Sequence, residues 1–91
     1  MLNDQPYQCP CCDFYSMARR NVHDICQVCY WEDDGTDLDR LNQISDSNHI
    51  TLFEARHNFN AFGASDQAAV SLVATSAQTA GLRREQRATY H

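Results

Sequence analysis

Four of the chain's five cysteines fall into two C-x-x-C pairs, Cys9-Pro10-Cys11-Cys12 and Cys26-Gln27-Val28-Cys29, with thirteen residues between them. A C-x-x-C turn lets two thiols converge on one ion while its inner amides point at the sulfurs. Two such turns supply the four ligands that zinc takes in a tetrahedron, at about 2.3 Å from each sulfur. The predicted ligands are therefore Cys9, Cys12, Cys26 and Cys29, holding one Zn²⁺ per chain. A closed four-thiolate site leaves no open position for a substrate, so its expected role is structural. The spacer is slightly shorter than is usual for this pattern, but long enough for a strand pair to return. Cys11 adjoins Cys12 and would strain a shared site, so it is expected to stay uncoordinated, as a small buried hydrophobe. Activation by His23 would instead make it a reactive thiol, but nothing else in the sequence resembles a nucleophilic centre. A redox C-x-x-C would call for a βαβ frame, and none is visible. Iron suits four thiolates as well, and the sequence does not separate it from zinc.

A second group of residues could do chemistry of another kind. Tyr30-Trp31 runs into Glu32, Asp33, Asp34, Asp37 and Asp39, five carboxylates within eight residues. An aromatic beside a carboxylate cluster can anchor a basic protein partner. Trp31, Glu32, Asp33 and Asp34 are the candidate partner-binding residues. The plainer reading is that Trp31 packs on the knuckle and the carboxylates are simply solvated. Acid–base catalysis or a hard-cation site would need a nucleophile, a phosphate loop or a second catalytic group, and none is evident. The chain is expected not to be an enzyme. His49 and His57 read as surface or capping residues.

The elements that must position these groups follow from length and pattern. Ninety-one residues make one domain, 1–91, which buries only about 60–65% of its unfolded surface. A chain this small often needs a staple such as a metal. Residues 6–34 hold the cysteines among Tyr7, Phe14, Val22, Ile25 and Val28, without helical period, as in short strands flanking metal knuckles. Residues 35–50 are an acidic and polar loop. Thr51 and Glu54 form a capping-box pattern that opens a helix over 51–62. Leu52, Ala55, Phe59 and Phe62 make its stripe, and Gly63 is placed to end it. Ser65 or Asp66 would cap a second helix over 66–80, with Val70, Val73, Ala74 and Ala77 on one face. Residues 82–91 read as a polar tail that frays. The predicted fold class is a small α+β metal-stapled domain: four-cysteine, zinc-ribbon-like knuckles with short strands, followed by two helices.

Composition narrows the function. Twelve acidic residues stand against seven arginines, there is no lysine, and the net charge is −5. That balance disfavours general nucleic-acid binding, which relies on basic residues at phosphates, and an anionic membrane surface. Residues 1–6 have neither the basic start nor the apolar stretch of a signal peptide. No apolar run approaches the roughly 20 residues that span a bilayer. The expected compartment is the reducing cytoplasm, where cysteines serve metals more than disulfides.

Cys9-Pro10-Cys11-Cys12, then Asp24-Ile25-Cys26-Gln27-Val28-Cys29-Tyr30-Trp31-Glu32-Asp33-Asp34-Gly35, resemble the small bacterial cysteine-rich family named for its Cys-Pro-Cys-Cys motif. The resemblance continues through Thr51-Leu52-Phe53-Glu54-Ala55-Arg56, Asn58-Phe59 and Phe62-Gly63-Ala64, and so covers roughly residues 7 to 65. Two positions depart from the family pattern. Asp13 stands where members usually carry Gly, and Gln27 where they usually carry Pro. Asp tolerates a left-handed backbone better than most residues, so the knuckle is expected to survive. The resemblance implies a metal-binding cysteine-rich domain and no established activity. From the residues themselves the expected function is a zinc-dependent protein-binding module. One concrete form is an immunity protein that neutralises a basic bacterial toxin. The alternative is a nucleic-acid-associated zinc ribbon that uses Arg19, Arg20 and the arginines of the tail.

Overall fold

Each cysteine pair folds into the same hydrogen-bonded turn. In the first, the Cys9 amide donates to the Phe14 carbonyl at 2.9 Å, and the Cys9 carbonyl accepts the Asp13 amide at 3.0 Å. In the second, the Cys26 amide donates to the Trp31 carbonyl at 2.9 Å, and the Cys26 carbonyl accepts the Tyr30 amide at 2.8 Å. The residue after each pair turns left-handed, Asp13 at φ 67° and Tyr30 at φ 71°. The structure, a computed structural model describing residues 2–89, is built outward from this duplicated turn.

The short strands expected around the knuckles do not form among the described residues. Extended backbone pairs only at isolated antiparallel bridges, Tyr7 with Met17, Phe14 with Arg84, Ile25 with Glu32, and Ile44 with Thr51. The physical reason lies in the backbone. Asp13, Asn21, His23 and Tyr30 all have positive φ, so the chain changes direction before any ladder can lengthen. Among the described residues the result is a pair of knuckles with two α-helices and no sheet.

Helix α1, Leu52–Phe62, matches its predicted bounds closely. The Thr51 hydroxyl accepts the Glu54 amide at 3.1 Å, and Gly63 at φ 84° closes the end by donating to the Phe59 carbonyl. Leu52 and Ala55 are buried. Phe59 meets Phe14 edge to face, with ring centroids 6.3 Å apart. Phe62 is exposed, which shortens the predicted stripe. The core forms where α1 covers the knuckles, from Met17, Val28, Trp31, Leu41, Leu52 and the cysteines themselves.

The continuous second helix predicted over 66–80 is corrected. Asp66 does cap a helical turn, accepting the Ala68 amide, but that turn is a 3₁₀ segment of three residues, Gln67–Ala69. Regular helix returns only at α2, Ser76–Thr79, behind a full capping box between Thr75 and Gln78. Between them lies Val70-Ser71-Leu72-Val73, which combines β-branched residues and serine, poor helix formers. Docking then sets the path, because the Ala74 amide donates to the Gln27 carbonyl of the second knuckle at 2.9 Å.

The expectation of a fraying tail is also corrected. Leu82 is buried, and residues 82–89 lie across the first knuckle as a strap; residues 90 and 91 fall outside the described region. The Tyr15 amide donates to the Arg83 carbonyl at 2.9 Å, and the Glu85 amide to the Asp13 carbonyl at 3.3 Å. The polar composition that suggested fraying is what makes this docking possible, since arginines on the strap bond carbonyls of the knuckle.

Candidate metal centre

The four predicted cysteines come together. Their sulfurs all lie within 4.8 Å of one another, with Cys9 and Cys29 at 3.6 Å and Cys12 and Cys26 at 3.8 Å. A regular tetrahedron with zinc–sulfur bonds of about 2.3 Å has sulfur–sulfur edges of about 3.8 Å. The donor set therefore fits one ion of zinc's size and softness, and no disulfide joins the five free cysteines. All four ligand residues have zero exposure. Cys11 is buried too but lies outside the group, as expected for a packing residue. Its thiol reaches Cys29, which burial pushes well above the usual thiol pKa. Burial does the same to Cys9 and Cys12. Cys26 goes the other way. Hydrogen bonds from Cys12, Cys29 and Cys9, with help from Ser16, pull it well down. Ser16 Oγ stands 3.1 Å from its sulfur. Burial thus disfavours charge on three of the four sulfurs, and a divalent ion would supply the charge that keeps all four as thiolates.

What fixes the first knuckle was not legible as a site. Asp13, with its left-handed backbone, turns its carboxylate inward and is almost completely buried. Arg56 on α1 meets it with two parallel bonds, Nη1 to Oδ1 and Nη2 to Oδ2, each 2.8 Å. Arg56 Nη1 also donates to the Pro10 carbonyl at 2.6 Å. From the strap, Arg87 donates through its amide to Oδ2 and through Nε to Oδ1, each at 2.8 Å. Arg84 Nε donates to the Cys12 carbonyl at 2.9 Å. Burial works against charge on Asp13, but the Arg56 bonds and the Arg87 amide outweigh it and hold the carboxyl below its usual pKa. One signal was present in the sequence: Arg56 falls four residues after Leu52, on the apolar stripe, where a cation needs a buried partner.

The second knuckle is held by backbone instead. The Ser65 amide donates to the Cys29 carbonyl at 2.8 Å, beside the Ala74–Gln27 bond.

The predicted partner-binding residues are placed differently from expectation. Trp31 is fully buried against the knuckles, and its indole N–H has no acceptor among the described residues. Asp33 is fully buried. It accepts Arg20 Nε at 2.7 Å and the Asn21 amide at 2.8 Å. Asp34 accepts the Ser45 hydroxyl at 2.6 Å and the Thr36 amide at 3.1 Å. Glu32 pairs with His23 at 3.0 Å. Trp31 and Asp33 therefore face inward and Asp34 ties down the loop 35–50, so the reading of the whole run as an outward acidic face is corrected; Glu32 keeps a partly exposed side beside His23. The carboxylates crowd together because arginine and backbone donors gather around them. The arginines proposed for nucleic acid are similarly engaged: Arg19 with Asp24, Arg20 with Asp33 and Asp37, Arg83 with Glu85, and Arg87 with Asp13.

Fold and site together define a small two-knuckle cysteine domain whose buried thiols are positioned for a metal ion. Residues 7–80 match the family model described as cysteine-rich CPCC, and the chain belongs to that family. The match runs past Ser65, where the resemblance read from the sequence stopped, and takes in the broken second helix. No curated protein and no solved structure matches the chain. No helix of the described residues is long and apolar enough to cross a membrane.

Proposed function

We propose that this chain is a cytoplasmic zinc-stapled module that works by binding another protein, and that the metal shapes the fold without taking part in chemistry. The observation that carries the reading is the complete burial of all four ligand residues. A substrate has no path to an ion enclosed by them, whereas an ion there joins two turns that no sheet connects. The net charge of −5 favours a basic partner through long-range attraction, and a basic toxin held by an acidic immunity protein is one form this would take. The nucleic-acid alternative is weakened because four of the five arginines it needs, Arg19, Arg20, Arg83 and Arg87, already have acidic partners within the chain.

The test joins metal to binding. Elemental analysis of protein purified without added metal is expected to find one zinc per chain. Cys→Ser at positions 9, 12, 26 or 29 should lose it, while Cys11→Ser keeps it. A partner isolated from the native host on the zinc-loaded chain should be released by a strong chelator. Iron in place of zinc, or a partner held equally well by metal-free chain, would overturn the reading.

A further inference from the structure

With Trp31 and Asp33 turned inward, the free apolar surface lies on the outer side of the second knuckle. Ile25, Tyr30 and Leu72 are 45%, 39% and 59% exposed. All three line two adjoining clefts of about 260 and 430 Å³. The smaller continues over Ile50 and Ala69, the larger over Leu2 and Val73. Glu32 and Asp66 edge the smaller cleft, and neither cleft has an arginine in its lining.

Tyr30 gives this face a second mark. It occupies the left-handed position of its knuckle at φ 71°, a conformation that costs a residue with a Cβ about 1–2 kcal/mol and that glycine adopts freely. The equivalent residue of the first knuckle, Asp13, offsets that cost with four bonds to two arginines. The Tyr30 side chain has no such return, since its hydroxyl has no hydrogen-bond partner among the described residues. A strained, exposed aromatic that lines both apolar clefts is a feature that folding alone does not favour.

We propose that this face docks a segment of another protein that combines apolar side chains with flanking lysine or arginine. The inference rests on the protein-binding reading and adds the surface and the chemistry of the partner. Branched or aromatic side chains would fill the clefts on either side of Tyr30, and the flanking cations would meet Glu32 and Asp66. An anionic lipid surface would face that same carboxylate rim. A second copy of the chain would bring its own carboxylates and no cation from this face.

The test uses the full zinc-loaded chain and synthetic peptides that share one Leu/Ile/Phe core and carry Lys, Ser or Glu flanks. The Lys-flanked peptide should shift the NMR signals of Ile25, Tyr30 and Leu72. It should bind about ten-fold or more tightly than the Glu-flanked one at low salt, with the gap narrowing as salt rises. Tyr30→Gly should keep its zinc, melt no lower than the parent, and lose about ten-fold or more in affinity. Leu72→Ser, at a more exposed position, should weaken binding in the same direction. Equal affinity for Lys and Glu flanks, unchanged binding by Tyr30→Gly, self-association through these residues, or no binding by any peptide would each overturn the proposal. Peptide signals that shift only elsewhere on the zinc-loaded chain would also overturn it, while leaving the metal-dependent binding module intact. That module stands or falls on whether a native partner survives chelation.

Discussion

Asp34 shows how far individual side chains are committed to the fold. Burial opposes its charge, but the Ser45 hydroxyl and the Thr36 hydroxyl and amide outweigh that effect and lower its pKa from 3.8 to about 2. Because the folded value is the depressed one, its stabilising contribution is complete above the unfolded value of 3.8 and is lost as pH falls through about 2. Ser45→Ala should move the Asp34 titration back toward 3.8 by carboxyl NMR and weaken the fold at neutral pH. Asp13 and Tyr30 offer a sharper comparison, since they hold equivalent backbone positions. Tyr30→Gly relieves strain and removes little packing. Asp13→Gly relieves the same strain but leaves Arg56 buried without its carboxylate, a loss of about 3–5 kcal/mol for a broken buried pair. Denaturant midpoints of the zinc-loaded variants should therefore move in opposite directions, and a gain for Asp13→Gly would refute the locking role given to its carboxylate.

Among the elements, α1 was the most legible, because its signals are local. A threonine cap, a stripe at helical spacing and a glycine stop all act within one stretch of chain. Gly63→Ala tests the stop cleanly. No atom would meet the added Cβ within 4 Å, so the cost should be the backbone alone, about 1 kcal/mol. The four cysteine ligands were legible for the same reason, as spacing within each turn fixes what the turn can hold. The second helix was not, because its path is set by a bond from Ala74 to a carbonyl forty-seven residues earlier, at Gln27. Trp31 and the carboxylates after it were misread because composition reports charge but not the direction a side chain faces. The strap was misread because its donors serve acceptors on a distant turn. Deleting residues 82–91 should weaken the first knuckle more than the second, seen as faster amide exchange at Asp13 than at Tyr30. Equal exchange at both would show that the strap is incidental.

At the scale of the molecule, the core is gathered around the four clustered cysteines. A structural zinc site supplies on the order of 10 kcal/mol of apparent binding free energy, comparable to the entire stability of a small domain. The Cα radius of gyration is 11.7 Å, close to the roughly 12 Å expected for a packed chain of this length. Helix α1 buries little besides Leu52, Ala55 and Arg56, all of them toward the knuckles. Removing the metal should therefore melt α1 along with the turns, and amides of Leu52–Phe62 should lose hydrogen-exchange protection after chelation. Retained protection there would mean that the helix stands without the cluster. Binding through the Tyr30 face should fail at the same chelator concentration.

The strap also has a bearing on how the protein is made. Translation delivers Cys9 and Cys12 well before Arg87, yet Asp13 needs both Arg56 and Arg87 to be satisfied where it lies. While the ribosome is still adding the intervening residues, all four thiols can emerge and capture an ion, but the first turn remains unlatched, with a carboxylate beside the thiolates that only Arg56 can neutralise. Only when the strap arrives does the first turn gain the Arg87 bonds that hold Asp13, so a metal bound before then would sit beside a turn held by Arg56 alone.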